Sequence, residues 1–200
     1  MTVALRPLAR GELPEDTTEL ARFLIGKLLA RDLADARLVG RIVETEAYLT
    51  GDAACHAYRR MTERNRSLFR ERGHAYVYRS YGLFWMLNVS GGPEGVGTGV
   101  LIRAAEPLAG TEHMKQLRGT ELIRDLARGP GRLAAAFAID RGFDGADLCR
   151  EGPLFLTADG HDVDGIGVST RIGITRDAHL PLRFYAKRNR FVSGPTRLNA

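Results

Sequence analysis

A chain of 200 residues with 44% hydrophobic and 26% charged content has the composition of an ordinary globular domain, long enough to bury most of the surface its unfolded form exposes. No apolar run approaches the roughly 18 residues of a membrane span, and the opening Met1-Thr2-Val3-Ala4-Leu5-Arg6-Pro7 lacks the long apolar stretch of a secretory signal. Two cysteines, Cys55 and Cys149, without CxxC spacing argue against a disulfide framework, so the chain reads as one intracellular domain over residues 1–200.

The net charge of +5 suggests a polyanionic partner, and the distribution of that charge says more. Residues 59–72 carry six arginines against Glu63 and Glu71. Arg183, Lys187, Arg188, Arg190 and Arg197 then close the sequence with no acid among them. Either run alone fits a solvated basic face; two of them flanking one pocket favour phosphate contacts. Lys27, Lys115 and Lys187 are the only lysines.

In chain order, Asp16-Thr17-Thr18-Glu19 has the pattern of a capping box, followed by Leu20, Phe23, Leu24 and Leu28 at helical spacing, with Gly26 as the stop. Residues 28–33 and 38–48, joined by Asp35-Ala36, predict two strands of a meander. The arginine-rich stretch 57–72 reads as loop and short helix. Strands over 75–79 and 84–90 form a hairpin around Tyr81-Gly82. Gly91-Gly92-Pro93 and Gly95, Gly97 and Gly99 mark a flexible connection, and Val100–Ala104 returns as a strand. Helices are expected over 110–118, 120–127 and 133–137, and strands over 154–157 and 168–174. The fold class is mixed α/β, one compact domain with an antiparallel sheet, flanking helices and a protruding hairpin.

Two clusters carry the chemistry. Glu44, Glu46 and Tyr48 share strand parity and leave one face together. A carboxylate beside aromatics and balanced by an arginine can activate water; taken alone, Glu-x-Glu is far better explained by an exposed polar strand face, and spacing does not choose between the two acids. Four of the six tyrosines, Tyr48, Tyr76, Tyr78 and Tyr81, fall in one short span. Tyr76 and Tyr78 share a face, as strand packing requires. Tyr81 has the opposite parity beside Gly82 at the hairpin tip, where a large ring fits poorly as core and better as a wedge filling the gap left by an extruded nucleotide. His56 reads as a solvated loop histidine if taken alone. The five histidines show no metal-ligand pairing, and the zinc-deaminase pattern is absent, so neither metal nor cofactor is expected. Gly129-Pro130-Gly131-Arg132 opens a helix with free N–H groups and a cation, suited to a phosphate, although proline at a helix start is also common for conformational reasons.

Taken together, Arg41–Tyr48, His56, Thr62-Glu63-Arg64-Asn65-Arg66, Tyr76-Val77-Tyr78, Tyr81-Gly82, Asn88, Leu101–Leu108, Gly129-Pro130 and Pro181–Tyr185 resemble the alkyladenine (3-methyladenine) DNA glycosylases of the human type, from about Leu20 to Ser193. The resemblance implies roles. Glu46 matches the general base, and Arg103 the arginine that helps hold it and its water. Tyr48, His56 and Tyr78 match the walls of the base pocket, Asn88 the residue that disfavours normal guanine, and Tyr81 the intercalating residue. Arg64, Asn65, Arg66, Gly131 and Arg132 fall to the DNA backbone. Departures at Arg79-Ser80 and Trp85, and a slightly short loop between Tyr48 and His56, bear on lesion range. The expected activity is hydrolysis of the N-glycosidic bond of an alkylated or deaminated purine in duplex DNA, by a monomer without lyase activity. A non-catalytic damage-binding module and a free-nucleoside hydrolase are the alternatives; the first has no need of Glu46, and the second none of an exposed wedge or basic flanks.

Overall fold

The computed structural model describes residues 5–195; Met1 to Ala4 and Arg197 of the terminal basic run lie outside the described residues. Its organising element is the twelve-residue strand β2 (Arg37–Tyr48), buried from Leu38 to Ala47. One edge of β2 pairs with β5 (Gly99–Ala109). The other edge is shared: β1 (Leu28–Asp32) covers Arg37–Arg41, and β8 (Arg183–Ala186) takes over at Glu44–Glu46. The full order is β3 (Ala75–Ser80), β4 (Phe84–Ser90), β5, β2, β1, β6 (Leu154–Thr157), with β7 (Ile166–Ser169) beside β8. All of these pairings are antiparallel. The mixed α/β architecture is the one expected.

A strand buried on both faces needs cover on both. On the Thr45 face lies α1 (Thr17–Phe23), to which the Thr45 hydroxyl is tied through the Ala21 carbonyl at 2.8 Å. The Asp16 carboxylate caps α1 by accepting from the N–H groups of Thr18 and Glu19. The helices α2 (Thr111–Arg118) and α3 (Pro130–Ala136) pack on each other, and α3 lies on β4 and β5. Leu20, Leu24, Leu38, Ile42, Ile102, Met114, Leu133 and Phe137 join these layers in one core.

Three segments differ from expectation. The helix over 120–127 is only a single turn at Ile123–Asp125: Gly119 ends α2 with φ +62°, Leu122 and Ile123 stay exposed, and only Leu126 and Ala127 at the end of the segment reach the core. The strand expected over 168–174 is β7, which starts and ends earlier, and 171–174 is loop. Strand β8 went unrecognised because Arg183 opens it and resembles the start of a basic surface run.

Gly40 fixes the approach of α3's end to the sheet: a Cβ there would sit 2.8 Å from Phe137 Cζ and 3.1 Å from Ala105 Cβ. Gly40→Ala is therefore expected to lower unfolding free energy by about 1–3 kcal/mol, the usual consequence of overpacking, measured by urea titration. An unchanged midpoint would contradict this packing.

Candidate active site

The two glutamates of β2 are fully excluded from solvent, against the reading of an exposed polar face. Each is held differently. Glu44 Oε1 accepts from Arg103 Nε at 2.8 Å and Arg183 Nε at 2.7 Å, while its Oε2 accepts from the Ser193 N–H at 2.7 Å. Burial acts to raise its pKa, but the two guanidiniums and the Ser193 N–H outweigh it and hold the carboxyl below the ordinary range. Glu46 Oε1 accepts from the Ile172 N–H at 2.7 Å and lies 3.1 Å from Arg103 Nη1. Its Oε2 accepts from the Tyr48 hydroxyl at 2.8 Å. A carboxylate has about four acceptor sites, so Glu46 keeps one on Oε2, beside a tyrosine that lines a cavity. Glu44 is locked among cations behind it.

Arg103 bridges both acids from β5. Burial acts to lower its pKa, and Glu46 and Glu44 reverse that, so the guanidinium stays charged. A bulge puts it in place: Glu44 pairs with Ala104 and Thr45 with Ile102, so the β5 ladder skips Arg103 where the two acids stand.

The cavity that Tyr48 borders holds about 180 Å³ and is walled by Tyr48, His56, Tyr76, Tyr78 and Asn88, with Tyr81 also lining it. Tyr76 and Tyr78 stack with centroids 5.4 Å apart, and His56 meets Tyr78 edge-on at 4.4 Å. His56 Nδ1 and the Tyr76 hydroxyl are hydrogen-bonded at 2.9 Å. Partial enclosure, and then Arg64, lower the His56 pKa and favour the neutral ring. Burial and then Glu46 push Tyr78 up to about 12 and raise Tyr48 further, so both phenols remain protonated. Asn88 donates its amide to the Tyr76 carbonyl at 3.2 Å across the β3–β4 ladder, which fixes its orientation. Tyr81 stands clear of the protein at 91% exposure on a three-residue tip, with φ +50° followed by Gly82 at +69°.

The structure brings Glu46, Arg103, Tyr48, His56, Tyr78, Asn88 and Tyr81 to one place. The residues expected at the DNA backbone separate. Arg64, Arg66 and Arg132 face solvent, with Arg66 3.0 Å from Glu63 and Arg132 3.3 Å from Asp125. Asn65 is buried, and all four of its side-chain hydrogen-bonding positions are occupied inside its own loop, by Thr62 N–H and hydroxyl and by the His56 and Arg60 carbonyls. It shapes the loop and has no side-chain group left for a phosphate. A Cβ on Gly131 would lie 2.9 Å from Phe84 Cβ, which accounts for glycine there by packing. Arg183, counted in a basic surface run, is instead fully buried and serves Glu44.

Sequence reasoning missed the clamp behind Tyr48. Arg171 is buried, makes a two-pronged ion pair with Asp52, donates to the Ala47 carbonyl at 3.0 Å, and lies 4.6 Å from the Tyr48 ring centroid. It ties the loop carrying the Ile172 N–H to the loop after β2. Two isolated charges 119 positions apart give no local signal. Among the described residues no group of three or more His, Cys, Asp or Glu is arranged to hold a metal ion, and no helix is long and apolar enough to cross a membrane.

Removing the Glu44 charge leaves two buried guanidiniums without their shared anion. Glu44→Gln should lower stability by about 3–5 kcal/mol. Because the folded pKa is depressed, the stabilisation is complete above the ordinary carboxylate range and is lost as pH falls through the lowered folded value. Wild type should therefore show a steep acid limb in thermal unfolding and Glu44→Gln a flatter one; equal stability and equal limbs would contradict the ion-pair account.

Comparison with known proteins places the chain as a whole. A family model described as methylpurine-DNA glycosylase matches residues 12–190. A protein of Mesorhizobium japonicum named "Putative 3-methyladenine DNA glycosylase" is 64% identical over 192 residues, covering 96% of this chain and 92% of its own. A protein of the same name in Paraburkholderia phytofirmans is 50% identical over 192 residues, covering 96% and 90%. One from Methanoculleus marisnigri is 47% identical over 182 residues, covering 89% and 94%. The chain belongs to the methylpurine-DNA glycosylase family.

Proposed function

We propose that the protein extrudes a damaged purine from duplex DNA into the cavity between Tyr48 and Tyr78 and hydrolyses its N-glycosidic bond, leaving an abasic site. The observation that carries this reading is the hydrogen bond from the hydroxyl of Tyr48, a residue of the cavity wall, to Glu46 Oε2, an oxygen with acceptor capacity left for a water. A water seated there transfers a proton to Glu46 as it attacks the sugar carbon, while Arg103 and the Ile172 N–H hold the carboxylate still. An alkylated purine carries positive charge and is a good leaving group before the protein acts. The faces of Tyr48 and Tyr78 favour such a flat cation over a neutral base.

Extrusion opposes stacking by a few kcal/mol. Aromatic stacking in the cavity offsets this by about 1–3 kcal/mol per base, and Tyr81 occupies the gap in the duplex. Damaged pairs open most easily, which contributes selectivity. Arg64, Arg66 and Arg132 are assigned to backbone phosphates. Lesions in range include 3-methyladenine and 7-methylguanine, with hypoxanthine and ethenoadenine as further substrates. No lysine lines the cavity, so a Schiff base is not part of the mechanism; borohydride trapping of a covalent enzyme–DNA adduct would overturn that.

Two variants test the reading. Glu46→Gln should still bind methylated duplex but release free purines at least about 10²-fold more slowly, measured by chromatography; release at the wild-type rate would remove Glu46 from its role, and a wild type that binds without releasing would favour a damage-binding module. Tyr81→Gly keeps the left-handed turn that Tyr81 now adopts while deleting the wedge. Its thermal stability should stay within about 0.5 kcal/mol of wild type, and its affinity for lesion duplex should fall by about 1–3 kcal/mol, read by fluorescence anisotropy. Undiminished affinity would argue against intercalation.

A further inference from the structure

A second basin of about 370 Å³ lies behind the His56–Tyr76 wall and shares Ala54, Cys55, His56 and Tyr76 with the base cavity. Its rim carries Arg59, Arg60, Arg64 and Arg176, and no acidic residue lines it. The side chains of these four arginines make no hydrogen bond or ion pair among the described residues, whereas nearby Arg66 has Glu63 and Arg171 has Asp52. Four unneutralised guanidiniums around one concavity repel one another, and an anion relieves that repulsion.

The guanidiniums stand on loops held in place. Asn65 pins 56–65 through its four side-chain hydrogen bonds. The loop bearing Arg176 is fastened by the Asp52–Arg171 pair and by the Ala53 N–H to Asp177 Oδ2 at 2.7 Å. The basin is therefore preorganised, and it opens beside the cavity in which the base is read. Arginine's planar fork suits a phosphate in particular.

We infer that this basin is a phosphodiester site: Arg59, Arg60, Arg64 and Arg176 together take the DNA phosphate adjoining the nucleotide whose base enters the cavity. The assignment rests on the glycosylase reading for which nucleotide is extruded. It adds three residues, Arg59, Arg60 and Arg176, and locates the anchor on the damaged strand next to the lesion.

The test is binding of the full chain to duplex containing a tetrahydrofuran abasic analogue, followed by anisotropy across a KCl series. Against wild type, Arg60→Gln/Arg176→Gln should flatten the slope of log K on log salt by about 0.9, the value for one phosphate contact, while Arg6→Gln, which removes an exposed partner of Glu12, leaves it unchanged. Replacing the phosphates on either side of the analogue by uncharged methylphosphonates, one at a time, should weaken wild-type binding about tenfold or more at one position and weaken the double variant far less. An unchanged slope, or equal methylphosphonate losses in both proteins, overturns the site. If wild type releases purines from methylated duplex while the slope is unchanged, the basin alone is wrong; if it releases none, the glycosylase reading fails instead.

Discussion

Two carboxylates on the same face of one strand, both shut off from water, are the constraint from which the rest of the site follows. Two such carboxylates without cations beside them would carry the full cost of burying like charges together. The fold answers with Arg103 from β5 and Arg183 from β8, arriving on opposite edges of β2 at the same level. This is why β2 changes partner along its length, from β1 to β8, and why β5 is bulged opposite Glu44. Glu44 fixes the two cations, and one of them reaches on to Glu46. The second acid is thereby held by an N–H, a guanidinium and a phenol, and that phenol, Tyr48, belongs to the cavity wall.

The same economy divides the arginines. Inward, Arg103, Arg171 and Arg183 are buried and matched to Glu44, Glu46 and Asp52, and they set the positions of Tyr48 and Ile172. Outward, Arg59, Arg60, Arg64 and Arg176 stand unmatched on loops that are themselves well tied down. In the proposed function and the inference drawn from it, binding DNA and supporting the activation of water fall to different sets of the same residue type. The loops around Asn65 and Asp177 hold the outer set beside the pocket that the inner set builds.

Much of this was legible in the residues because it is local. The parity of Glu44, Glu46 and Tyr48, the hairpin around Tyr81-Gly82, and the strands of the meander depend on neighbours within a few positions, and each lies where alternation and turn chemistry put it. What sequence did not reveal depends on distant pairing. Arg183 looks like surface charge until Glu44, 139 positions away, is brought against it. Arg171 and Asp52 have no meaning apart, and Asn65 reads as a backbone contact until its loop closes around it. The helix expected over 120–127 failed for the converse reason: its composition permits a helix, but Leu122 and Ile123 stay exposed and only Leu126 and Ala127 are buried. The choice between Glu44 and Glu46, which spacing left open, is set in this account by counting what each carboxylate already holds.

The most direct test of that account is a crystal structure of Glu46→Gln with duplex DNA bearing an intact alkylated or deaminated purine. The account predicts the lesion turned out of the helix and lying between Tyr48 and Tyr78, the Tyr81 ring in the vacated step, and a water at the position beside Oε2 that faces the sugar. A lesion still paired within the duplex and an empty cavity, or a base seated with its sugar turned away from residue 46, would contradict it.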